Sequence, residues 1–267
     1  MINVIVAGAA GRMGSRLIAL IKESTALTLA GALEGKGHSA LAADAGEAAG
    51  VGKMGVPVTD DLPALLKRGE VVIDFSAPEA TLSHLRAVAQ QKRAMVIGTT
   101  GFNAVQLEEL KSLARQVPCV CSPNMSVGVN LIYKVISEMA RTLGEEYDIE
   151  VIEAHHRLKK DAPSGTALKI AEVLAQAVNR DLDQVGVYAR KGLVGERKKQ
   201  EIGIQTIRAG DIVGDHTVLF GGMGERIEVT HRASSRDTFA RGALRAARWV
   251  VKQPPGLYDM MDVLNLK

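Results

Sequence analysis

The chain has 267 residues, of which 46% are hydrophobic, 24% charged and only 3% aromatic, and its formal net charge is +3. This composition is typical of a globular protein with one large domain or two smaller ones. Few aromatic residues and no dense Lys/Arg block argue against a nucleic-acid partner. No apolar run is long enough to span a membrane, and Cys119 and Cys121 do not form a CxxC motif. We therefore expect a cytoplasmic protein with reduced cysteines and no membrane partner.

Short apolar runs alternate with helical patterns in the first half of the chain. The predicted strands cover residues 2–7, 27–33, 71–75, 94–97 and 117–121, and the predicted helices cover residues 12–22, 60–67, 78–90 and 104–115. Strands that alternate with helices form parallel βαβ units. The pattern predicts an α/β fold with a Rossmann-like doubly wound parallel sheet that is covered on both faces.

The pattern changes after Pro123. Predicted helices cover residues 127–143, 165–178 and 236–251, and predicted strands cover residues 149–154, 203–208, 215–220 and 226–231. The last three strands follow one another without intervening helices, which predicts a second α+β domain with a mixed or antiparallel sheet. We expect the final helix to pack on the first domain, so that residues 1–126 and 235–267 form one domain and residues 127–234 the other.

A basic, glycine-containing segment, Arg190–Gln200 (RKGLVGERKKQ), lies between two predicted elements of the second domain. We interpret it as a mobile loop whose charges are solvated. Closure of this loop over an anionic ligand is the alternative interpretation.

A glycine-rich turn, VIVAGAAGRMG, places Gly8, Gly11 and Gly14 between the first strand and the first helix. Such glycines allow a tight exit from the strand, a close approach of backbone to a pyrophosphate, and close packing of the helix on the sheet. The helix N-terminus provides free N–H groups for phosphates, and Arg12 adds a cation. The turn therefore predicts a dinucleotide site; a purely structural turn is the alternative.

The second strand ends in an acid, Glu34, which lies 20 residues after Gly14. A carboxylate at this place accepts hydrogen bonds from the ribose hydroxyls of NADH and repels the 2′-phosphate of NADPH. Lys36 lies two residues further on and is able to neutralise that phosphate. We therefore expect both NADH and NADPH to be used.

The segment EAHHRLKKDAPSGTA holds the densest cluster of polar chemistry in the chain. His155 and His156 end a predicted strand, Lys159 lies in the loop that follows, and Ser164, Gly165 and Thr166 begin a helix. A cationic loop beside a helix N-terminus suits a carboxylate ligand, and a histidine and a lysine beside it suit proton delivery. A metal site is disfavoured, because adjacent histidines on a strand point to opposite faces and Glu153 alone is a poor third ligand.

Together with IDFSAPE (residues 73–79), VIGTTGF (96–102), SPNMSVGVN (122–130) and IRAGDIVG (207–214), these motifs resemble the bacterial 4-hydroxy-tetrahydrodipicolinate reductases, also called dihydrodipicolinate reductases. The resemblance covers essentially the whole chain. It implies reduction of a cyclic imine dicarboxylate with NADH or NADPH in lysine and diaminopimelate biosynthesis, no metal, and a homotetramer assembled through the second domain.

The resemblance also implies a role for individual residues. His155 matches an acid/base residue and Lys159 a proton donor, both of them catalytic. The substrate-binding positions are His156, Lys159, Ser164, Gly165 and Thr166. The cofactor-binding positions are Gly8, Ala9, Ala10, Gly11, Arg12, Met13, Glu34, Lys36, Gly98, Thr99, Thr100, Ser122, Pro123, Asn124 and Met125.

Two positions depart from the family pattern. Some members have arginine directly after the ribose-binding acid, where this chain has Gly35, so Lys36 is expected to take over its contact with NADPH. Many members have phenylalanine at the position of Met125, and methionine fills a similar apolar space. Hydride transfer is expected to need closure of the two domains about hinges near residues 124–130 and 234–238.

Two other functions remain open on the residues alone. A different two-lobed dehydrogenase that acts on a semialdehyde or a sugar is the first, although a phosphorylating semialdehyde dehydrogenase needs a nucleophilic cysteine, and both cysteines lie in an apolar strand. A non-catalytic dinucleotide sensor is the second, although no helix-turn-helix segment is evident outside the first domain.

Overall fold

The computed structural model describes residues 1–267. Its strands are β1 (Ile2–Ala7), β2 (Leu27–Leu33), β3 (Val58–Thr59), β4 (Val71–Asp74), β5 (Ala94–Ile97), β6 (Pro118–Cys121), β7 (Asp148–His155), β8 (Gly186–Val187), β9 (Ile202–Arg208), β10 (Gly214–Gly221), β11 (Arg226–Ala233) and β12 (Gly256–Tyr258). Its helices are α1 (Arg12–Lys22), α2 (Ala45–Ala48), α3 (Leu62–Leu66), α4 (Pro78–Gln90), α5 (Ala104–Ala114), α6 (Val127–Leu143), α7 (Gly165–Ala177), α8 (Leu182–Val185), α9 (Asp237–Val250) and α10 (Met260–Leu264), with one 3₁₀ turn at Gly144–Glu146.

The chain folds into two compact units. Unit 1 consists of Met1–Val127 and Arg236–Lys267, and unit 2 consists of Gly128–Ser235. Each unit has a sheet of its own. None of the helices is long and apolar enough to cross a lipid bilayer.

The sheet of unit 1 has seven parallel strands in the order β12-β6-β5-β4-β1-β2-β3. Alternate residues of its central strands enter different cores: Val4 and Val6 pack in one, and Ile5 and Ala7 in the other. All four are completely buried, because helices cover both faces. This confirms the predicted Rossmann-like doubly wound sheet.

Helix α9, which follows unit 2 in the chain, closes one of these two cores. Its alanines, such as Ala240, Ala243 and Ala247, pack with residues of β1, β4 and α1. The packing is close enough that a Cβ at Gly242 would overlap the carbonyl oxygen of Met125. Helix α9 therefore belongs to the core of unit 1.

The sheet of unit 2 has five strands in the order β11-β10-β7-β9-β8. β10 is antiparallel to both of its neighbours, whereas β7, β9 and β8 are parallel, so the sheet is mixed, as predicted. One face packs on α6 and α7 through residues such as Val151, Ile204, Val218 and Phe220.

The elements that the sequence pattern did not predict are short, with two to five residues each: α2, α8, α10, β3, β8 and β12. Predicted boundaries of the longer elements differ from the observed ones by one or two residues at several ends. The predicted strand 71–75, for example, ends at Asp74, because the carboxylate of Asp74 accepts a hydrogen bond from the N–H of Ser76 and begins a turn.

Candidate active site

The glycine-rich turn connects β1 to α1 at the carboxyl edge of the parallel sheet. Gly8 has a φ of +70°, which favours glycine, and the N–H groups of Gly8 and Ala9 both donate to the carbonyl of Leu33. A Cβ at Gly14 would overlap the Gly8 carbonyl oxygen and lie 2.7 Å from Cα of Ala9. Gly11 caps α1 without a side-chain hydrogen bond, and the first turn has no acidic residue. The free N–H groups at this helix start can therefore donate hydrogen bonds to an anion.

Glu34 lies beside this turn at the end of β2. Its Oε1 accepts a hydrogen bond from the N–H of Ala10 at 2.7 Å, so the acid and the glycine turn form one unit. A cavity of about 400 Å³ lies between them, lined by Gly8, Ala10, Gly11 and Glu34 among others. The cavity is at the point where the strand order changes between β1 and β4, the usual ligand position in this type of sheet.

Residues after β4 form the other wall of this cavity, and the sequence did not predict a role for them. They include Phe75, Ser76 and His84, and His38 also lines the cavity. The buried carboxylate of Asp74 orients two of them, since it contacts Nδ1 of His84 at 2.7 Å and accepts from the Ser76 hydroxyl at 2.6 Å. Polar residues directly after a parallel strand are the signal that could have identified them.

Other predicted cofactor positions lie outside this cavity lining. Arg12 and Lys36 are exposed, and Lys36 lies in a turn closed by a hydrogen bond from the N–H of His38 to the carbonyl of Gly35. Met13 is half-buried against the core, and the side chain of Ala9 is buried in it, so only the backbone of Ala9 is suited to contact a ligand.

The loops after β5 and β6 hold the remaining predicted cofactor positions. A Cβ at Gly98 would overlap the ring of Phe75, while the hydroxyl of Thr99 is buried and accepts from Thr81 at 2.8 Å. Thr100 is exposed. The Ser122 hydroxyl donates to the carbonyl of Asn124 at 2.9 Å, which ties the Ser122–Asn124 turn around Pro123. Met125 is 1% exposed and packs in the core.

Unit 2 brings together the second set of predicted residues. Alternate residues of β7 point to the covered face, so Ile149 and Val151 enter the core, and Glu153 and His155 follow on the same face. Glu153 is completely buried. Its Oε2 accepts from Nδ1 of His155 at 2.6 Å, and its two oxygens accept from the two terminal nitrogens of Arg208 at 2.8 and 2.9 Å.

The pKa values of this pair shift in the same direction for different reasons. Burial would raise the pKa of Glu153, but hydrogen bonds from Arg208 and His155 outweigh it and lower the pKa. Burial lowers the pKa of His155, with the nearby charges of Lys159 and Arg208 acting in the same direction, although Glu153 opposes them. At neutral pH the pair is a carboxylate and a neutral imidazole.

Lys159 lies in the loop after β7, four residues from His155. Its ammonium group donates to both carboxylate oxygens of Asp161 at 2.9 Å, and its side chain is 21% exposed. This ion pair lowers the pKa of Asp161, although burial acts in the opposite direction. His156 is half-buried beyond the strand end, and its N–H donates to the carbonyl of Ile212 at 2.8 Å.

The start of α7 differs from the predicted arrangement in one respect. The Ser164 hydroxyl is buried: it caps α7 by accepting from the N–H of Ala167, and it contacts Nε2 of His216 at 3.1 Å. Gly165 is exposed and Thr166 half-buried, so the helix start is accessible at these two residues, while buried Ser164 caps it. His216, which no sequence motif predicted, also stacks edge-on against His155, with ring centroids 5.2 Å apart.

The buried imidazole of His216 predicts a loss of stability in acid. Burial lowers its pKa from 6.5 to about 4. Because the unfolded chain binds the proton more tightly than the folded one, stability is complete above pH 6.5 and falls as the pH decreases towards 4. The loss from this group is up to about 3 kcal/mol. Urea unfolding as a function of pH should show a shallower acid loss in His216→Gln than in the wild type.

His38→Gln is the control for that measurement, because His38 is exposed and its replacement should leave the pH profile unchanged. Equal acid loss in His216→Gln and the wild type would show that His216 is not the responsible group. His155 and His231 also have pKa values lowered by burial, so the variant should remove part of the loss rather than all of it.

The two cysteines are free thiols on β6. Burial raises the pKa of Cys121 to about 11 and that of Cys119 further above its usual range. Neither is a thiolate at neutral pH, which argues against a cysteine-dependent semialdehyde dehydrogenase. The structure has no group of three or more His, Cys, Asp and Glu side chains arranged to hold a metal ion.

The basic segment Arg190–Gln200 is largely exposed, but two of its arginines are not free. Arg190 pairs with Glu150 and Glu201 at 3.0 Å, and Arg197 pairs with Asp148 at 2.6 Å and with Glu150 at 3.2 Å. These ion pairs fasten the segment to β7 and to the start of β9. These two arginines therefore have carboxylate partners, while the lysines of the segment are exposed.

Comparison with known proteins identifies the family. The family model described as dihydrodipicolinate reductase, N-terminus, matches residues 2–125, and the model described as dihydrodipicolinate reductase, C-terminus, matches residues 128–264. The 4-hydroxy-tetrahydrodipicolinate reductases of Syntrophus aciditrophicus and Syntrophobacter fumaroxidans are 55% and 58% identical to this chain over 267 residues, which is 100% of both chains in each pair.

Solved structures show the same likeness. The dipicolinate-bound dihydrodipicolinate reductase from Paenisporosarcina sp. TG-14 superposes with a TM-score of 0.74 at 25% identity, covering 98% of each chain. An amine dehydrogenase from Mycobacterium smegmatis shares the fold at 13% identity, with a TM-score of 0.59 over 96% of this chain and 94% of its own. The motifs, the two sheets and the matches over both units agree: the chain belongs to the dihydrodipicolinate reductase family.

Proposed function

We propose that this protein reduces 4-hydroxy-tetrahydrodipicolinate to tetrahydrodipicolinate with NADH or NADPH, as a step of lysine and diaminopimelate biosynthesis. The observation that carries the proposal is the family match across both units, with the glycine turn in one and the EAHH…PSGTA segment in the other. Oxidation of NADH or NADPH, measured with the condensation product of aspartate semialdehyde and pyruvate, tests it. Absence of oxidation with both nucleotides would overturn it.

The dinucleotide has a suitable place in unit 1. The N–H groups of Arg12 and Met13 at the start of α1 would hold the pyrophosphate, because those of Gly8 to Gly11 already donate within the protein. The carboxylate of Glu34 would accept from the adenosine ribose. The close approach at Gly14 and the uncapped start of α1 support this fit. We assign the loops at Gly98–Thr100 and Ser122–Met125 to the nicotinamide half. The bound reduced nicotinamide supplies the hydride.

The substrate is assigned to unit 2. One of its carboxylates would be bound by the N–H groups and hydroxyl at Gly165 and Thr166, with a hydrogen bond from His156 and the positive charge of Lys159 beside it. Reduction of the ring adds electron density that protonation relieves. Lys159 is the proposed proton donor, and the neutral imidazole of His155 orients the reacting ring through Nε2. The two chain connections between the units, near residues 124–130 and 234–238, are the proposed hinges.

Glu34 and Lys36 should act in opposite directions on cofactor choice. Glu34→Ala removes a charged acceptor for the ribose hydroxyls, so the Kd for NADH should rise by about tenfold or more. Glu34→Gln, which can still accept from Ala10 N–H, should weaken NADH less and improve binding of NADPH relative to NADH. Lys36→Ala should weaken NADPH alone. Titration of nucleotide fluorescence measures the Kd of all three variants. A large decrease in the kcat of Glu34→Ala at saturating cofactor would contradict a binding role for Glu34.

A homotetramer and a cytoplasmic location belong to the same proposal and stay predictions. The uncovered face of the mixed sheet supports self-association, because the alternate residues of its strands, including Ile207 at 46% exposed, lie outside the core of unit 2. Light scattering would measure the mass. A monomeric mass at micromolar concentration would contradict the tetramer without affecting the proposed chemistry.

A further inference from the structure

Glu153 is a fully buried charge to which the proposed chemistry gives no part. It receives four hydrogen bonds: one from His155, two from Arg208, and one from the backbone N–H of Ser164 at 3.0 Å. Four bonds fill the acceptor capacity of a carboxylate. Removing a buried charge that is fully paired leaves all its donors unsatisfied, so each partner's position depends on this one group.

The bond to His155 determines which ring nitrogen is available for chemistry. Every other group bonded to Glu153 is a donor, and an ionised carboxylate only accepts, so Nδ1 of His155 carries the hydrogen. The neutral ring therefore has its lone pair on Nε2. Gly214 borders this atom closely, since a Cβ there would lie 3.0 Å from Nε2. The ring is thus fixed in tautomer by Glu153 and in position by β10.

The other bonds connect Glu153 to the two remaining parts of the substrate site. The N–H of Ser164 anchors the start of α7, directly before Gly165 and Thr166. Arg208, held by both carboxylate oxygens, also donates to the carbonyl of Asp161 at 2.6 Å. Asp161 is the ion-pair partner of Lys159.

We infer that Glu153 is the positioning residue of the substrate site: its carboxylate sets the tautomer of His155 and holds the start of α7 and the Lys159 loop in one arrangement. The inference rests on the proposed function for the meaning of that arrangement. Its geometric part, the tautomer, does not depend on the identity of the substrate.

The same strand provides a matched control. Glu150 lies on the opposite face of β7 and also pairs with two arginines, Arg190 and Arg197. Replacing either glutamate by glutamine removes one negative charge from the same strand. Glu150→Gln removes that charge from beside two arginines, and Glu153→Gln removes it from beside one arginine and one histidine. Only Glu153 touches the predicted substrate site.

The first test is spectroscopic and needs no substitution of Glu153. In the full-length protein labelled with ¹⁵N-histidine, long-range ¹H–¹⁵N correlation distinguishes the two neutral tautomers, and His155→Gln assigns the signal among the six histidines. We expect the Nδ1–H form for His155 in the wild type. A wild-type signal of the Nε2–H form would overturn the inference.

The second test is kinetic. Glu153→Gln should lower kcat by about 10² to 10⁴-fold, as for other histidines held in the wrong tautomer, while Kd for NADH stays within twofold of the wild type. Glu150→Gln should keep kcat within about threefold, because its effect is confined to stability. Urea unfolding of both variants shows whether each is folded under assay conditions.

The pH profile separates positioning from a merely structural role. The groups that face His155 are Glu153 on its own strand, Lys159 in the next loop, Arg208 on β9 and His216 on β10. Of these, only the carboxylate raises the pKa of His155. Its removal should shift the acid limb of kcat/KM to lower pH in Glu153→Gln, and no shift is expected in Glu150→Gln.

The outcomes are distinguishable. A folded Glu153→Gln with kcat within threefold of the wild type and an unshifted acid limb would overturn the inference. If Glu153→Gln does not fold, the tautomer of His155 in the wild type is the result that tests the inference. If the wild type oxidises neither nucleotide with the proposed substrate, the proposed function fails, while the spectroscopic result still decides what Glu153 does to His155.

Discussion

Lys159→Ala is expected to lower kcat by about 10² to 10⁴-fold, the usual contribution of a positioned proton donor. The variant loses the ammonium group that unit 2 presents beside the start of α7. It should bind NADH as the wild type does, because the glycine turn and Glu34 belong to unit 1. Stopped-flow oxidation of NADH measures kcat, and nucleotide fluorescence measures Kd.

Lys160→Ala is the control for this variant, since it removes the neighbouring lysine, which is exposed and has no ion-pair partner in the structure. It should keep kcat within about threefold. An equal loss of NADH affinity and kcat in Lys159→Ala would indicate a structural role for Lys159. A loss of kcat that is equal in both lysine variants would indicate a diffuse charge effect.

Gly14→Ala is expected to have the largest effect on unit 1. The added Cβ would overlap the carbonyl oxygen of Gly8, so the turn that we propose to bind the pyrophosphate must shift. We expect the free energy of unfolding to fall by about 1–3 kcal/mol. The Kd for both nucleotides should rise by about tenfold or more.

Gly35→Ala controls for the chemical change, because a Cβ at Gly35 meets nothing within 4 Å. It should leave the free energy of unfolding within about 0.5 kcal/mol of the wild type. Unchanged nucleotide binding and stability in Gly14→Ala would mean that α1 can move away from the sheet and that the turn is less rigid than its contacts imply.

The parallel sheet could be predicted because its strands are unusually clear signals. Residues 4–7 and 71–73 are continuous apolar runs, as expected for strands covered on both faces, and each is followed by a helical pattern. The short elements could not be predicted, because β3 has two residues and pairs only through Ala32 and Leu33 of β2. Such a short strand forms because β2 lies beside it, and two residues are too few to show a hydrophobic periodicity.

The candidate site was predictable where its residues are close in sequence. His155, Lys159 and the start of α7 fall within one segment, and the i, i+2 spacing of Glu153 and His155 already implies one face of a strand. Arg208 lies 55 residues from Glu153. Its approach depends on the parallel register that places Arg208 opposite His155, and His216 likewise faces Glu153 through the antiparallel register of β10. A single sequence does not encode these registers locally.

Unit 1 is assembled from two stretches of chain separated by the whole of unit 2, and this has a consequence for biosynthesis on the ribosome. The residues of α9, together with Met260 and Val263, fill the same core as Val4 and Leu17. On this face of the parallel sheet α1 packs early, but the part that α9 covers stays exposed until residues 236–267 are made, whereas unit 2 is continuous and can fold before them. The N-terminal half of the nascent chain therefore exposes apolar residues of this sheet until α9 has been made. We expect a chaperone to bind it at that stage.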